Sequence, residues 1–157
     1  MNIQYQRSRR SRKSLRTGAA VTEFALIGPL LILLALGAID VAQAINVSQV
    51  INDASREGAR QASRSDVTTV GEVQDFVRDY VGDAFPRLSS GSVGSAVTVD
   101  VQDENGLAPP GGDLSTVDSG SSIVVNVRLQ FGVVQLTNFI PGFDQTVIQT
   151  STVMRRE

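Results

Sequence analysis

The side chains available for chemistry in this chain form a short menu. Its 157 residues include no His and no Cys, which removes imidazole bases, thiol nucleophiles, disulfides and Cys/His zinc sites. What remains is 16 carboxylates, 14 Lys and Arg side chains, and hydroxyls. Asp100, Asp103, Glu104, Asp113 and Asp118 crowd one stretch and invite comparison with a calcium loop, but they lack the regular ligand spacing such a loop uses. Scattered loop acids of this kind are read as solvated. There is no phosphate-binding glycine loop and no nucleophile elbow. The chain is therefore read as non-enzymatic, with no catalytic residue, no cofactor, no metal and no small-molecule substrate. One carboxylate, Glu23, differs from the rest because it borders a long uncharged run, and the surroundings of that run decide what it does.

Charge is divided unevenly along the chain. Arg7, Arg9, Arg10, Arg12, Lys13 and Arg16 lie in the first 17 residues with no acid among them, whereas residues 18–157 carry a net charge of −8. Between the two stands FALIGPLLILLALGAI, residues 24–39, without a charge and with ten large apolar side chains. At insertion energies of roughly −0.3 to −0.6 kcal/mol each, these supply about −3 to −6 kcal/mol. A span needs about 20 residues. Extension back to Ala19 and forward to Ile45 reaches that length by admitting Glu23 and Asp40 near the ends. The segment is read as one membrane-inserted helix, in preference to the core helix of a soluble protein. The adjoining cations place the N-terminus in the cytoplasm and the acidic body outside. This topology also accounts for the basic tail without a nucleic-acid partner.

Three kinds of processing fit such an N-terminus. Ala42-Gln43-Ala44 has the small-x-small form of a signal-peptidase site, and cleavage after Ala44 would release a secreted or signal-anchored ligand-binding domain. Against it stand the long region before the apolar run and Glu23 at its start. A twin-arginine signal at Arg9-Arg10 is weaker, because Arg12 and Lys13 occupy the positions where apolar residues belong. The third kind is a cut on the cytoplasmic side, which leaves the helix in place.

The third kind has a pattern to match. Gly18-Ala19-Ala20-Val21-Thr22-Glu23-Phe24 resembles a type IV prepilin cleavage motif, with a basic leader, Gly at the cut and Glu at the fifth mature position. Together with RTGAAVTEFALIGPLLILLALGAIDVAQA (residues 16–44), NDASREGARQAS (residues 52–63) and the final STVMRRE, the chain resembles the TadE-like family, pseudopilin-like proteins of the tight-adherence (Flp) pilus assembly system. The likeness covers residues 16–64 well and 145–157 loosely. It implies a pilin-like fold and cleavage between Gly18 and Ala19 by a membrane prepilin peptidase. It also implies lateral contact with other pilin or pseudopilin subunits, and residence in the inner (cytoplasmic) membrane. Gly suits the cut, since a residue without Cβ lets the backbone come close to a catalytic site. Glu23 would then pair with the new α-amine of Ala19, on its own or a neighbouring subunit; the competing reading leaves Glu23 hydrated among the headgroups. Phe24 stands where Flp-type major pilins tend to have Tyr, which fits an accessory pseudopilin better than the main subunit.

The elements that must hold these residues follow from periodicity. The expected division is a basic cytoplasmic leader over 1–18, a transmembrane helix over 19–45, an amphipathic extension of that helix over 46–64, and an extracytoplasmic α+β domain over 65–157. Val41, Ala44, Ile45, Ser48, Ile51, Ser55, Gly58, Ala59 and Ala62 recur at helical steps. This narrow, small-residue stripe suits close helix approach, on a partner or internally, with Ile45 and Ile51 assigned to internal packing. A second helix is expected from Thr69, capped by Thr69 and Glu72, with Val73, Phe76, Val77, Tyr80, Val81, Ala84 and Phe85 as its core face, and ended by Pro86. Past Gly94 the period becomes two. Val97, Val99 and Val101 form one set; Ile123, Val125, Val127, Leu129 and Phe131 form another; a β-branched run covers 146–154. These predict a small antiparallel sheet of about three to four strands, with a surface loop over 103–121 and a turn at Pro141-Gly142.

Overall fold

The computed structural model describes residues 13–86, 96–136 and 138–157. Of the basic leader expected over 1–18, residues 1–12 lie outside the described residues. Helix α1 runs over Lys13–Ser63 and helix α2 over Val70–Ala84; strands β1, β2 and β3 cover Val97–Asp103, Ser122–Gln130 and Val147–Arg155. The strands form one antiparallel sheet in the order β1-β2-β3. The architecture is α+β, with a long apolar N-terminal helix, a second helix and three strands. The chain divides into two compact units, Met1–Ala38 and Ile39–Glu157.

The second unit is a sheet with helices on one face. Strict alternation puts Val97, Val99, Val101, Ile123, Val125, Val127 and Leu129 on the buried side. Val99 stands opposite Val127, and Val125 opposite Thr152. From α2, Val73, Val77 and Val81 meet this face, and Gln74 Nε2 donates to the Val99 carbonyl at 2.9 Å. Thr69 caps α2, its hydroxyl accepting from the Glu72 N–H at 3.3 Å. From α1 come Val47, Ile51, Ala54, Ala59 and Ala62. Ser55 Oγ bridges the Val125 carbonyl at 3.0 Å and Thr152 Oγ1 at 2.9 Å. A Cβ built on Gly58 would stand 2.5 Å from Val77 Cγ2; the absence of a side chain there is what lets α1 come so close to α2.

Several expectations are corrected here. The stripe on α1 packs internally as expected from Ile51 to Ala62, but its beginning is shifted. Ile45 is exposed, while Val47 and Ala54, outside the expected stripe, are buried. Small residues weaken a hydrophobic periodicity, so its phase was poorly set. On α2, Tyr80 and Ala84 are exposed and Phe76 is only half-buried, because three valines already fill the contact with the sheet. The 103–121 connection is more than a surface loop: Leu114 is fully buried, its N–H donates to the Thr68 carbonyl at 2.8 Å, and Thr69 bridges to Asp113. Phe131 does not extend β2. It begins a single helical turn, Phe131–Val134, and its buried ring packs edge-on against Phe143 with centroids 5.3 Å apart.

Candidate functional site

Gly18, Ala19, Glu23 and Phe24 all lie on α1 and are exposed. The helix passes through the Gly18-Ala19 peptide without interruption, and Thr22 Oγ1 donates back to the Ala19 carbonyl at 2.8 Å. Ala19 and Glu23 are four apart on this helix and so share a face. Phe24 is 76% exposed and Leu26 80%. The Phe24 ring lies along its own helix over Gly28, 3.7 Å from where a Cβ would stand. Large apolar side chains from Val21 to Ile39 are exposed on every side of the helix. This is the one helix, among the described residues, long and apolar enough to cross a membrane, with a mean hydropathy of 2.4 over its 18-residue window.

In the second unit two polar side chains of α1 hold distant backbone. Asp40 is fully buried. Its Oδ2 accepts the N–H groups of Phe139 and Ile140 at 2.9 and 3.0 Å. One turn on, Gln43 Oε1 accepts the N–H of Leu136 at 2.7 Å. Bonds of this kind satisfy loop donors that would otherwise be orphaned. The other end of α1 is closed by Arg156. Its buried guanidinium donates to the carbonyls of Ala62, Arg64 and Val67 at 3.0–3.4 Å, and the Glu157 N–H donates to the Ser63 carbonyl at 2.8 Å. A cation on unsatisfied helix C-terminal carbonyls is favoured by both hydrogen bonding and the helix dipole.

Residues 18–60 match the family model of TadE-like protein. No curated protein and no solved structure matches the chain. The TadE-like segment begins at Gly18, takes in the exposed apolar run, and ends three residues short of the end of α1. It therefore joins two surfaces of opposite kind: large side chains facing outward up to Ile39, and small side chains packed into the domain from Val47 onward.

Several acids of the second unit are engaged in local structure. Asp100 pairs with Arg128 at 3.3 Å across β1 and β2. The Asp103 carboxylate accepts the N–H groups of Leu107 and Asn105 at 2.8 and 2.9 Å, and these bonds, Leu107 first, hold its pKa below the ordinary carboxylate value. Asp113 is lowered likewise by its bonds to Ser115, side chain first. Glu57 is lowered by its hydrogen bond to Arg60, and Asp66 by that to Arg64. Among the described residues no three metal-ligating side chains converge. Sequence reading missed Asp40, Gln43 and Arg156. For Asp40 a signal existed: it is in helical phase with Ala44, Val47 and Ile51, so an acid occupied the core-facing stripe.

Proposed function

We propose that this chain is a non-enzymatic, membrane-anchored, pseudopilin-like component of tight-adherence (Flp) pilus assembly. In this reading the basic leader stays in the cytoplasm, the 19–45 helix crosses the inner membrane, and the domain stands outside. A prepilin peptidase cuts after Gly18, and the freed helix associates laterally with other pilin or pseudopilin helices. The observation that carries the reading is the overlap of the TadE-like match with an apolar helix face that the protein itself leaves uncovered. The small-residue stripe is already used internally, so the surface offered to partner helices is the large-residue face before Ile39. The Gly18-Ala19 bond lies near the start of α1, where helices fray most readily, and an enzyme that takes extended backbone needs only that local opening.

Cutting also gives Glu23 its part. The new α-amine of Ala19 is one helical turn away on the same face, and pairing with it offsets the cost of a carboxylate near the membrane, about 2.5–3.5 kcal/mol at the centre and less toward an end. Release after Ala44 is disfavoured by geometry, since it would discard Asp40 and Gln43, which hold the backbone N–H groups of Leu136, Phe139 and Ile140.

Mass spectrometry of the mature N-terminus tests the proposal. A chain starting at Ala19 supports it. A start at Ile45 selects the secreted domain, and an intact leader leaves a plain anchor. Glu23→Ala is expected to preserve membrane residence and abolish pilus assembly; normal piliation would remove the pairing role.

A further inference from the structure

The connection between β2 and β3 is built to present an apolar tip. Its base is pinched by the bond from the Phe131 N–H to the Thr146 carbonyl at 2.9 Å, and by Gly132, where a Cβ would meet the Asp144 carbonyl oxygen at 2.5 Å. The Phe131 and Phe143 rings lock its two arms together. Pro141 and Gly142, the latter with φ +82°, form its turn, closed by the Phe143 N–H on the Ile140 carbonyl at 3.2 Å. Yet Val133, Leu136 and Phe139 are 41%, 58% and 41% exposed. Residues 129–143 carry no charge, the longest such stretch after residue 39, in a body whose net charge is otherwise strongly acidic.

Where this tip is held matters as much as its composition. Asp40 grips Phe139 and Ile140 directly, and it is the first residue after the apolar run. We infer that the apolar tip carried by Val133, Leu136 and Phe139 is a second membrane contact, seated in the headgroup region of the outer leaflet, with Asp40 and Gln43 setting its depth. The inference rests on the membrane-anchor reading above. If the anchoring helix leaves the hydrocarbon layer at Ile39, the last residue of its uncharged run, a loop bonded to residue 40 stands at the interface, one residue beyond. There exposed Phe and Leu gain burial that water denies them, and an uncharged loop avoids repulsion from anionic lipid. With the helix as one contact and the tip as a second, the domain is fixed in tilt and rotation as well as height.

The absence of Cys makes the test direct. Single substitutions Phe139→Cys and Leu136→Cys are labelled with an environment-sensitive nitrobenzoxadiazole dye. The full chain is reconstituted in phosphatidylcholine/phosphatidylglycerol vesicles containing lipids brominated at shallow or deep positions. Leu31→Cys reports the anchor, and Gln149→Cys, exposed on β3, reports the rest of the domain. The expected result is a blue shift and shallow-bromine quenching at 136 and 139, deep-bromine quenching at 31, and neither effect at 149. Asp40→Ala should abolish the quenching at 139 and leave that at 31 intact.

Quenching at 31 with none at 136 or 139 overturns the inference and spares the anchor. No quenching at 31 overturns the anchor and the inference with it. Quenching at 149 equal to that at 139 overturns the specific role of the tip. Unchanged quenching at 139 in Asp40→Ala, with Gln43→Ala behaving alike, overturns the depth-setting role of the two side chains.

Discussion

Helix α1 carries two stretches of opposite design, before Ile39 and after Val47. In the first, Leu26, Leu30, Leu31 and Leu34 are more than half exposed; in the second, Ile51, Ala54, Ala59 and Ala62 are wholly buried. The stretch with the larger apolar residues is the uncovered one. Hydrophobic burial scales with the apolar area removed from water, so a soluble protein would not leave its greasiest residues outside and bury alanines. The arrangement makes sense when the medium around the first stretch is itself apolar. Small residues then belong where backbone must approach backbone, at the α1–α2 contact around Gly58, and large ones where a fluid solvent fills whatever shape is offered. Apolar character alone therefore does not tell core from span; side-chain size and burial together do.

The contrast can be broken by making the same change in both stretches. Ile51→Ala should destabilise the domain by about 2–5 kcal/mol, while Ile32→Ala should change it by no more than about 0.5 kcal/mol. Denaturant unfolding of the full chain in detergent micelles reads both, and equal losses would erase the distinction. A charge probes the opposite side of it. Leu31→Arg should cost insertion about 2.5–3.5 kcal/mol, seen as loss from the carbonate-resistant membrane fraction, with the denaturation midpoint of the domain unmoved.

Glycine offers a subtler comparison. Gly58→Ala must displace Val77 and should cost about 1–3 kcal/mol, partly recovered by Val77→Ala in the same chain. Gly37→Ala meets nothing within 4 Å and should be neutral or stabilise α1 by up to about 1 kcal/mol, as an alanine does in a helix interior. Opposite signs in thermal unfolding and helicity sharpen the division; like signs blunt it. The smallest effect concerns pH and belongs to the domain only. Asp103 and Asp113 have lowered pKa values when folded, so the stability they contribute is fully present above the unfolded carboxylate value of about 3.9 and is lost as pH falls through their folded values. Hydrogen exchange of the Asn105, Leu107 and Ser115 amides should accelerate, relative to other loop amides, at acid pH. Asp103→Asn should remove the part due to Asp103.

Much of this was legible locally. The Thr69 cap, the valine spacing of α2 and the three alternating runs each state their own structure within a dozen residues, and the strands lie within a residue or two of their predicted places. The leucine-rich run likewise names its medium by composition. The prepilin-like pattern at Gly18–Phe24 is a short string, and Gly18, Ala19, Glu23 and Phe24 lie exposed on one helix. Illegible were features whose partners are far away in the chain. Asp40 looked like a blemish at the edge of a span because Phe139 and Ile140 are about a hundred residues on. Arg156 gave no local signal because the carbonyls it caps belong to the end of α1 and the turn after it. Leu114 was lost in a stretch rich in Pro, Gly and Asp that otherwise reads as loop.

By itself, then, the sequence determined which segments are helix or strand, where charge is excluded, and which residues form the cleavage-like motif. Those follow from periodicity, capping and transfer energies that act over a few residues. Only the tertiary structure decided where the buried stripe of α1 begins, the inward place of Leu114, and the gripping of the Leu136, Phe139 and Ile140 amides by Asp40 and Gln43. Each of these depends on which buried donor meets which acceptor once the chain has closed on itself, and local preferences carry no record of that pairing.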